Sequence, residues 1–203
     1  MPGSIIKKGE ELMLADLIIS RVRVKILQLF FLNPGKIFHV REIVRRTDEE
    51  INAVRRELLH LDKAGLFSKE RRANRLFYNL RRDYPLYYDI LDLVFKTSGL
   101  GGDILKNKVK LGKIKFAMIS GKYARGLSRE TNNVDLLVIG KVVLPELSQL
   151  VRQEEVKREK EINYTVMSEE EFDFRKKRRD PFVLDILRGS RIMLIGDEEE
   201  LVN

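Results

Sequence analysis

The chain has no cysteine, so neither a disulfide nor a thiolate metal site can form. Its two histidines, His39 and His60, are too few and too separated to suggest a metal centre by themselves. Long apolar runs are also missing. A stretch such as Leu29 to Leu32 falls far short of the roughly 20 residues that cross a bilayer. The N-terminus lacks the basic, apolar and small-residue succession of a secretion signal. These absences predict a cytoplasmic protein with no membrane partner. What is present in quantity is charge: 34% of the residues are charged and 43% are hydrophobic, which suits a globular chain with a well-solvated surface. At 203 residues there is room for two modest domains.

The net charge of +8 is not spread evenly. Residues 1–98 hold 19 Lys and Arg against 13 Asp and Glu, and residues 99–112 hold 3 against 1. Residues 113–203 hold 17 of each and are neutral. A basic surface is by itself as compatible with simple solvation as with an anionic partner. The pattern of the first half decides between them.

Residues 21–32, RVRVKILQLFFL, place Val22, Ile26 and Leu29 at helical spacing behind Ser20 as a cap, and Asn33-Pro34-Gly35 stops the helix. KIFHV predicts a short strand and REIVRRT a two-turn helix. A third helix, with Asp48 as its expected cap, is predicted to reach about Ala64, with Gly65 as its left-handed stop. LFSKE and RLFYNL flank the charged tip RRAN as two strands of a hairpin. Helix, strand, helix, helix, hairpin is the order of a winged helix-turn-helix, and residues 1–82 are read as that domain. On the third helix Ile51, Val54, Leu58 and Leu61 form the core stripe, and Asn52, Arg56, His60 and Lys63 lie opposite it. A charged face is commonly just solvated, but here it sits on the element that enters the major groove. Arg55 is placed nearer the core flank, as a packing or phosphate residue. Arg71, Arg72 and Arg75 on the hairpin tip are placed for phosphates or an adjacent minor groove, and Arg41, Arg45 and Arg46 on the second helix for further backbone contacts. Glu49 and Glu50 run against this pattern, because negative charge at the helix start either repels phosphates or selects a cytosine amino group. His39 is expected to pack near the strand. The segment resembles winged-helix transcriptional regulators of the arsenical-resistance and multiple-antibiotic-resistance type, a likeness of pattern more than of invariant motif. It implies double-stranded DNA as the partner and a homodimer that reads two half-sites.

Residues 83–112 are read as a linker helix. Tyr87, Ile90, Leu91, Val94 and Phe95 form a stripe that must be buried on the first half, the second half or a second subunit, so dimerisation is one use for it. Ser98-Gly99-Leu100-Gly101-Gly102 is the expected flexible point.

Residues 113–203 alternate apolar strands (IKFAMIS, VDLLVIG, EINYTVMS, RIMLIG) with helical segments, giving a small mixed α/β unit. The fold class of the whole chain is thus α+β. Between the first two strands stands Gly121-Lys122-Tyr123-Ala124-Arg125-Gly126, six residues and then Asn133-Val134-Asp135. This register resembles the minimal nucleotidyltransferase domains of the DNA polymerase β superfamily, whose signature is GSxAxG, a six-residue gap usually ending in Ser, and DxD. The resemblance implies that Gly121, Lys122, Arg125 and Asp135 are nucleotide-binding residues and that Asp135 is a magnesium ligand. The departures are as informative. Lys122 replaces the motif Ser, Asn132 the usual Ser, Asn133 the first Asp, and Asn163 or a neighbour falls at the third acidic position. A magnesium pair needs several carboxylates, so efficient nucleotidyl transfer is not expected and no catalytic residue is assigned. Lys122 and Arg125 can instead meet a phosphate directly. Proteins that join a winged helix to such a transferase-like domain resemble this chain through its closing segments INYTVMSEEEF, DPFVLDIL and RIMLIGDEEEL. The run Arg175 to Arg179 is read chiefly as helix surface, and Asp197 to Glu200 as a solvated end.

The expected function is therefore that of a DNA-binding transcriptional regulator, cytoplasmic and dimeric, which needs no cofactor for that role. Its nucleotidyltransferase-like domain serves dimerisation or nucleotide sensing, the latter with a nucleotide and Mg2+ as ligands. The alternatives are a nucleotidyltransferase that modifies a protein or RNA, and an antitoxin-like protein that binds a protein partner.

Overall fold

The computed structural model describes residues 17–127 and 133–203, so the expectation for Asn132 lies outside the described residues. The chain mixes helices and strands. Its first half runs α1 (Arg21–Phe31), β1 (Phe38–His39), α2 (Val40–Thr47), α3 (Ile51–Lys63), β2 (Phe67–Arg72) and β3 (Arg75–Leu80). The strands form one antiparallel sheet in the order β1-β3-β2, with Phe38 opposite Tyr78 and Arg72 opposite Arg75 at the hairpin tip. The caps are local. Ser20 accepts from the Arg23 amide at the start of α1. His39 leaves β1 with its ring nitrogen accepting from Glu42 and capping α2, while its ring edge meets Phe77 at 5.6 Å. At the end of α3, Gly65 takes φ +87°, the conformation a residue without a Cβ adopts at least cost.

One cap differs from the sequence reading. Asp48 does not start α3; it ends α2 in the left-handed region with φ 52°. Glu50 starts α3 instead, its carboxylate accepting from the amides of Asn52 and Ala53 at 2.8 and 2.9 Å. The two short helices are too close together for Asp48 to serve the second once it has turned out of the first. The stripe along α3 is placed as expected: Val54 and Leu58 are fully buried and Leu61 nearly so, and Ile51 is half-buried.

Two further helices, α4 (Tyr87–Thr97) and α5 (Gly99–Lys106), lead to a second sheet. Its strands β4 (Gly112–Ser120), β5 (Leu136–Val142), β6 (Tyr164–Met167) and β7 (Arg191–Ile195) lie in the order β6-β5-β4-β7, with only β5 and β6 parallel. Between them lie α6 (Gly121–Ala124), α7 (Leu144–Arg158), α8 (Glu169–Lys177) and α9 (Pro181–Arg188), and α10 (Glu198–Val202) follows. The strands read as unbroken apolar runs because both faces of the sheet are covered. Ala117, Ile119, Leu136 and Val138 face one way, into a core shared with α4, α5 and α7. Phe116, Met118, Leu137 and Ile139 face the other way, beneath Phe172 of α8, Val183 of α9 and Leu201 of α10.

The segment expected to be flexible is firmly packed. Leu100, Gly101 and Gly102 are buried within α5. A side chain at Gly101 would collide with the Phe95 carbonyl, so these glycines permit close approach of α4 and α5. The apolar stripe of α4 is also filled from within the chain. Tyr87 meets Phe31 of α1 at 5.3 Å, and Phe95 meets Tyr123 of α6 at 6.4 Å. One hydrophobic core consequently runs from α1 through α4 and α5 to β4 and α7. A charged clamp crosses the same seam. Glu154, only 3% exposed, accepts from Arg158 at 2.5 Å. The Arg158 guanidinium lies over the rings of Phe95 and Tyr123 and donates to the Leu32 carbonyl at 3.3 Å.

Among the described residues no helix is long and apolar enough to cross a membrane.

Candidate functional site

Helix α3 is held from beneath by Val54, Leu58 and Leu61, which fixes what its outer face presents. Asn52, Arg56, His60 and Lys63 are all exposed along that face. The structure brings these four together as the helix period requires. Arg41 and Arg45 of α2 are exposed as well, while Arg46 is tied to Glu42 at 2.9 Å and lies 5.3 Å from the Phe38 ring. Arg55, expected near the core flank, is exposed too and belongs with the solvent-facing cations.

At the hairpin tip Arg71, Arg72 and Arg75 are exposed. They are not equivalent. The Arg72 guanidinium grips Glu70 with two hydrogen bonds of 3.0 and 2.9 Å, and it lies 5.5 Å from the Phe77 ring. Its charge is half-answered before any ligand arrives, and Arg71 and Arg75 carry the stronger outward potential.

The two glutamates at the start of α3 turn out to be engaged. Lys25 and Arg21 of α1 hold Glu49 at 2.6 and 3.2 Å. Hydrogen bonding from Lys25 keeps its carboxyl below the ordinary value of 4.5, against a smaller opposing effect of burial. Glu50 is likewise held below that value by the Asn52 and Ala53 amides. Neither carboxylate faces a ligand uncompensated. Farther along α3, burial works to raise Glu57, but hydrogen bonds from Ser20 and Arg23 outweigh it and leave the group lowered.

A pH dependence follows. Carboxyls with folded values below their unfolded ones contribute stability that is complete above about pH 4.5 and lost as the pH falls through the folded values. Glu50→Gln is expected to lower the urea midpoint at neutral pH and to flatten the further loss on acidification. Equal acid sensitivity of the variant and the wild type would exclude this role for the cap.

The second half places its motif residues around two different features. Lys122 and Arg125 leave the short turn after β4 and line a cleft of about 710 Å³ together with Ser120 and Asn133. Its opposite wall is supplied by α9 and the segment leading into β7: Phe182 and Ile186 are apolar, Asp185 and Arg188 are charged, and Ser190 is polar. Gly121 is buried where a side chain would strike Ser190. The Arg125 guanidinium folds back onto the Gly121 carbonyl and the Ser190 hydroxyl, both at 3.0 Å.

Asp135 does not line this cleft. It is 3% exposed, and one carboxylate oxygen accepts from the Asn163 amide at 3.0 Å, bracing the start of β5 against the segment before β6. Asn163 joins this brace through its backbone, whose carbonyl accepts from Asp135 and Leu136. Asn133 brings an amide, and no group of three or more metal-binding side chains occurs among the described residues. The residues present therefore do not fit a magnesium pair. Among the described residues that line the cleft, three are basic (Lys122, Arg125 and Arg188) and one is acidic (Asp185). Asp185, Arg188 and Ser190 were not legible as site residues. They lie fifty or more positions beyond Asp135 and carry no spacing signal of their own.

Comparison with family models, curated proteins and solved structures yields no match to the chain.

Proposed function

We propose that the protein is a DNA-binding transcriptional regulator. In this reading residues 21–80 are a winged helix-turn-helix that lays α3 in the major groove of double-stranded DNA, with β2 and β3 as the wing. One observation carries it: Asn52, Arg56, His60 and Lys63 share the exposed face of a helix whose opposite face is anchored in the core. Amide, guanidinium and ammonium donors suit the acceptor-rich edges of the groove and its phosphates. The glutamates at the helix start are already engaged within the protein, which removes the main electrostatic objection. A homodimer reading two half-sites belongs to the same proposal, as does a cytoplasmic location. Direct titration of labelled duplex is the test, with Arg56→Ala and the wing variants as controls.

The second half is proposed to be a nucleotidyltransferase-like frame that senses a phosphate-bearing ligand. Support comes from the cations of the cleft and from Asp135, whose carboxylate is engaged with the backbone. Incubation with labelled nucleoside triphosphates and magnesium is expected to leave no label on protein or RNA acceptors. Transfer that disappears on Asp135→Asn would replace this reading with that of an enzyme.

A further inference from the structure

One short turn, residues 121–126, lies between the cleft and the first half of the chain. On one side, residues 121–126 send Lys122 and Arg125 into the cleft. On the other, they abut the first half directly at two places and reach it at a third through Arg158. Gly126 adopts φ +63°, and a Cβ there would stand 2.6 Å from Pro34, so the turn is seated directly on the segment that ends α1 and enters β1. The Arg125 carbonyl accepts a long hydrogen bond of 3.4 Å from Arg82, which lies just beyond the wing strand β3. The Tyr123 ring lies beneath Arg158, whose guanidinium also reaches the Leu32 carbonyl.

In the structure Arg125 holds this turn closed. Its guanidinium binds the turn's own Gly121 carbonyl and Ser190 of the far wall, so it closes the turn against β7. A phosphate entering the cleft competes for that same guanidinium with stronger, charge-assisted hydrogen bonds. A second state, in which a ligand captures Arg125, would release the Gly121 carbonyl and the Ser190 hydroxyl, while the backbone bond from the Gly121 amide to the Ser190 carbonyl stays in place.

Building on the reading of the cleft as a sensor and of α3 as the duplex-binding helix, we propose that ligand occupancy and duplex affinity are coupled through this turn. A ligand with different affinity for the two states must shift duplex binding, and duplex must shift ligand binding by the same factor. The expected change is at least about fivefold, the lower end of ordinary allosteric coupling.

The test uses the full chain with two metal-free probes, inorganic pyrophosphate and ATP, in the presence of a chelator. Calorimetry measures probe binding, and fluorescence anisotropy measures duplex affinity with and without saturating probe at matched ionic strength. At least one probe should bind and shift duplex affinity about fivefold or more, and Lys122→Ala should abolish both effects. ATP binding without pyrophosphate binding would assign recognition to the apolar wall as well as to the phosphates. Pro34→Ala combined with Arg82→Ala, or Arg82→Ala alone should the pair fold poorly, should keep both binding events and weaken their coupling. Probe binding with unchanged duplex affinity would overturn the coupling and leave the sensor reading standing. Failure of both probes to bind would overturn the sensor reading and the coupling with it. A shift that persists in Lys122→Ala would place the probe on the duplex-binding face and also overturn the proposal. Absence of duplex binding would overturn the DNA reading on which the coupling rests.

Discussion

Arg158→Ala is expected to cost about 3–5 kcal/mol of stability, the usual penalty for leaving a buried charge without its partner. Glu154 is the charge left behind. It is 3% exposed, and its carboxylate also lies against the space beside Gly99, where water has little access. The substitution further removes the guanidinium stacked between Phe95 and Tyr123 and the bond to the Leu32 carbonyl. Because those contacts come from α1, α4, α6 and α7, the loss should appear as one cooperative transition of the described fold. Urea unfolding checks this: the midpoint should fall with little change in slope. The double variant Glu154→Leu, Arg158→Met should recover much of the stability, since apolar replacement of both partners removes the stranded charge. A loss below about 1 kcal/mol for the single variant would show the pair to be ordinary surface chemistry.

Arg56→Ala is expected to weaken duplex binding by about 1–3 kcal/mol, roughly five- to 150-fold, and to relax sequence preference at one position. Arg56 is exposed, and it points away from the stripe that anchors α3. Its removal should therefore change binding and leave the unfolding midpoint within about 0.5 kcal/mol of wild type. The wing arginines should behave differently. Arg71→Ala and Arg75→Ala should weaken binding to all duplexes alike, each lowering the salt slope by about 1. Arg72→Ala should do less, because Glu70 already holds that guanidinium by two hydrogen bonds. Equal losses from all three wing variants would contradict the assigned difference, and unaffected affinity in Arg56→Ala would remove α3 from the interface.

Periodicity carried most of the fold. The buried stripe of α3 and its exposed opposite face repeat a pattern present in the residues themselves, and Gly65 marks its stop through a local conformational need. The apolar strands around the motif were legible because a sheet covered on both faces needs apolar residues at every position. What escaped the sequence depended on distant partners. Glu49 looked like an obstacle to DNA until Arg21 and Lys25, far earlier in the chain, were found beside it. The glycines after Ser98 looked like a hinge, because composition does not distinguish a loose glycine from one that lets two helices touch. Asp135 had the register of a metal ligand, but its orientation toward the Asn163 amide is set by the pairing of β5 with the segment before β6. The cleft shows the same limit, with half its wall supplied by α9 and the two residues that follow it.

The central claim is that the outer face of α3 reads double-stranded DNA. Its most direct test is capture of fragmented genomic DNA from the source organism by wild-type protein and by Arg56→Ala, followed by sequencing. A discrete set of duplexes sharing a common site should be enriched by the wild type and lost or redistributed by Arg56→Ala. Capture with no sequence enriched over the input, or an enriched set left unchanged by Arg56→Ala, would contradict the claim.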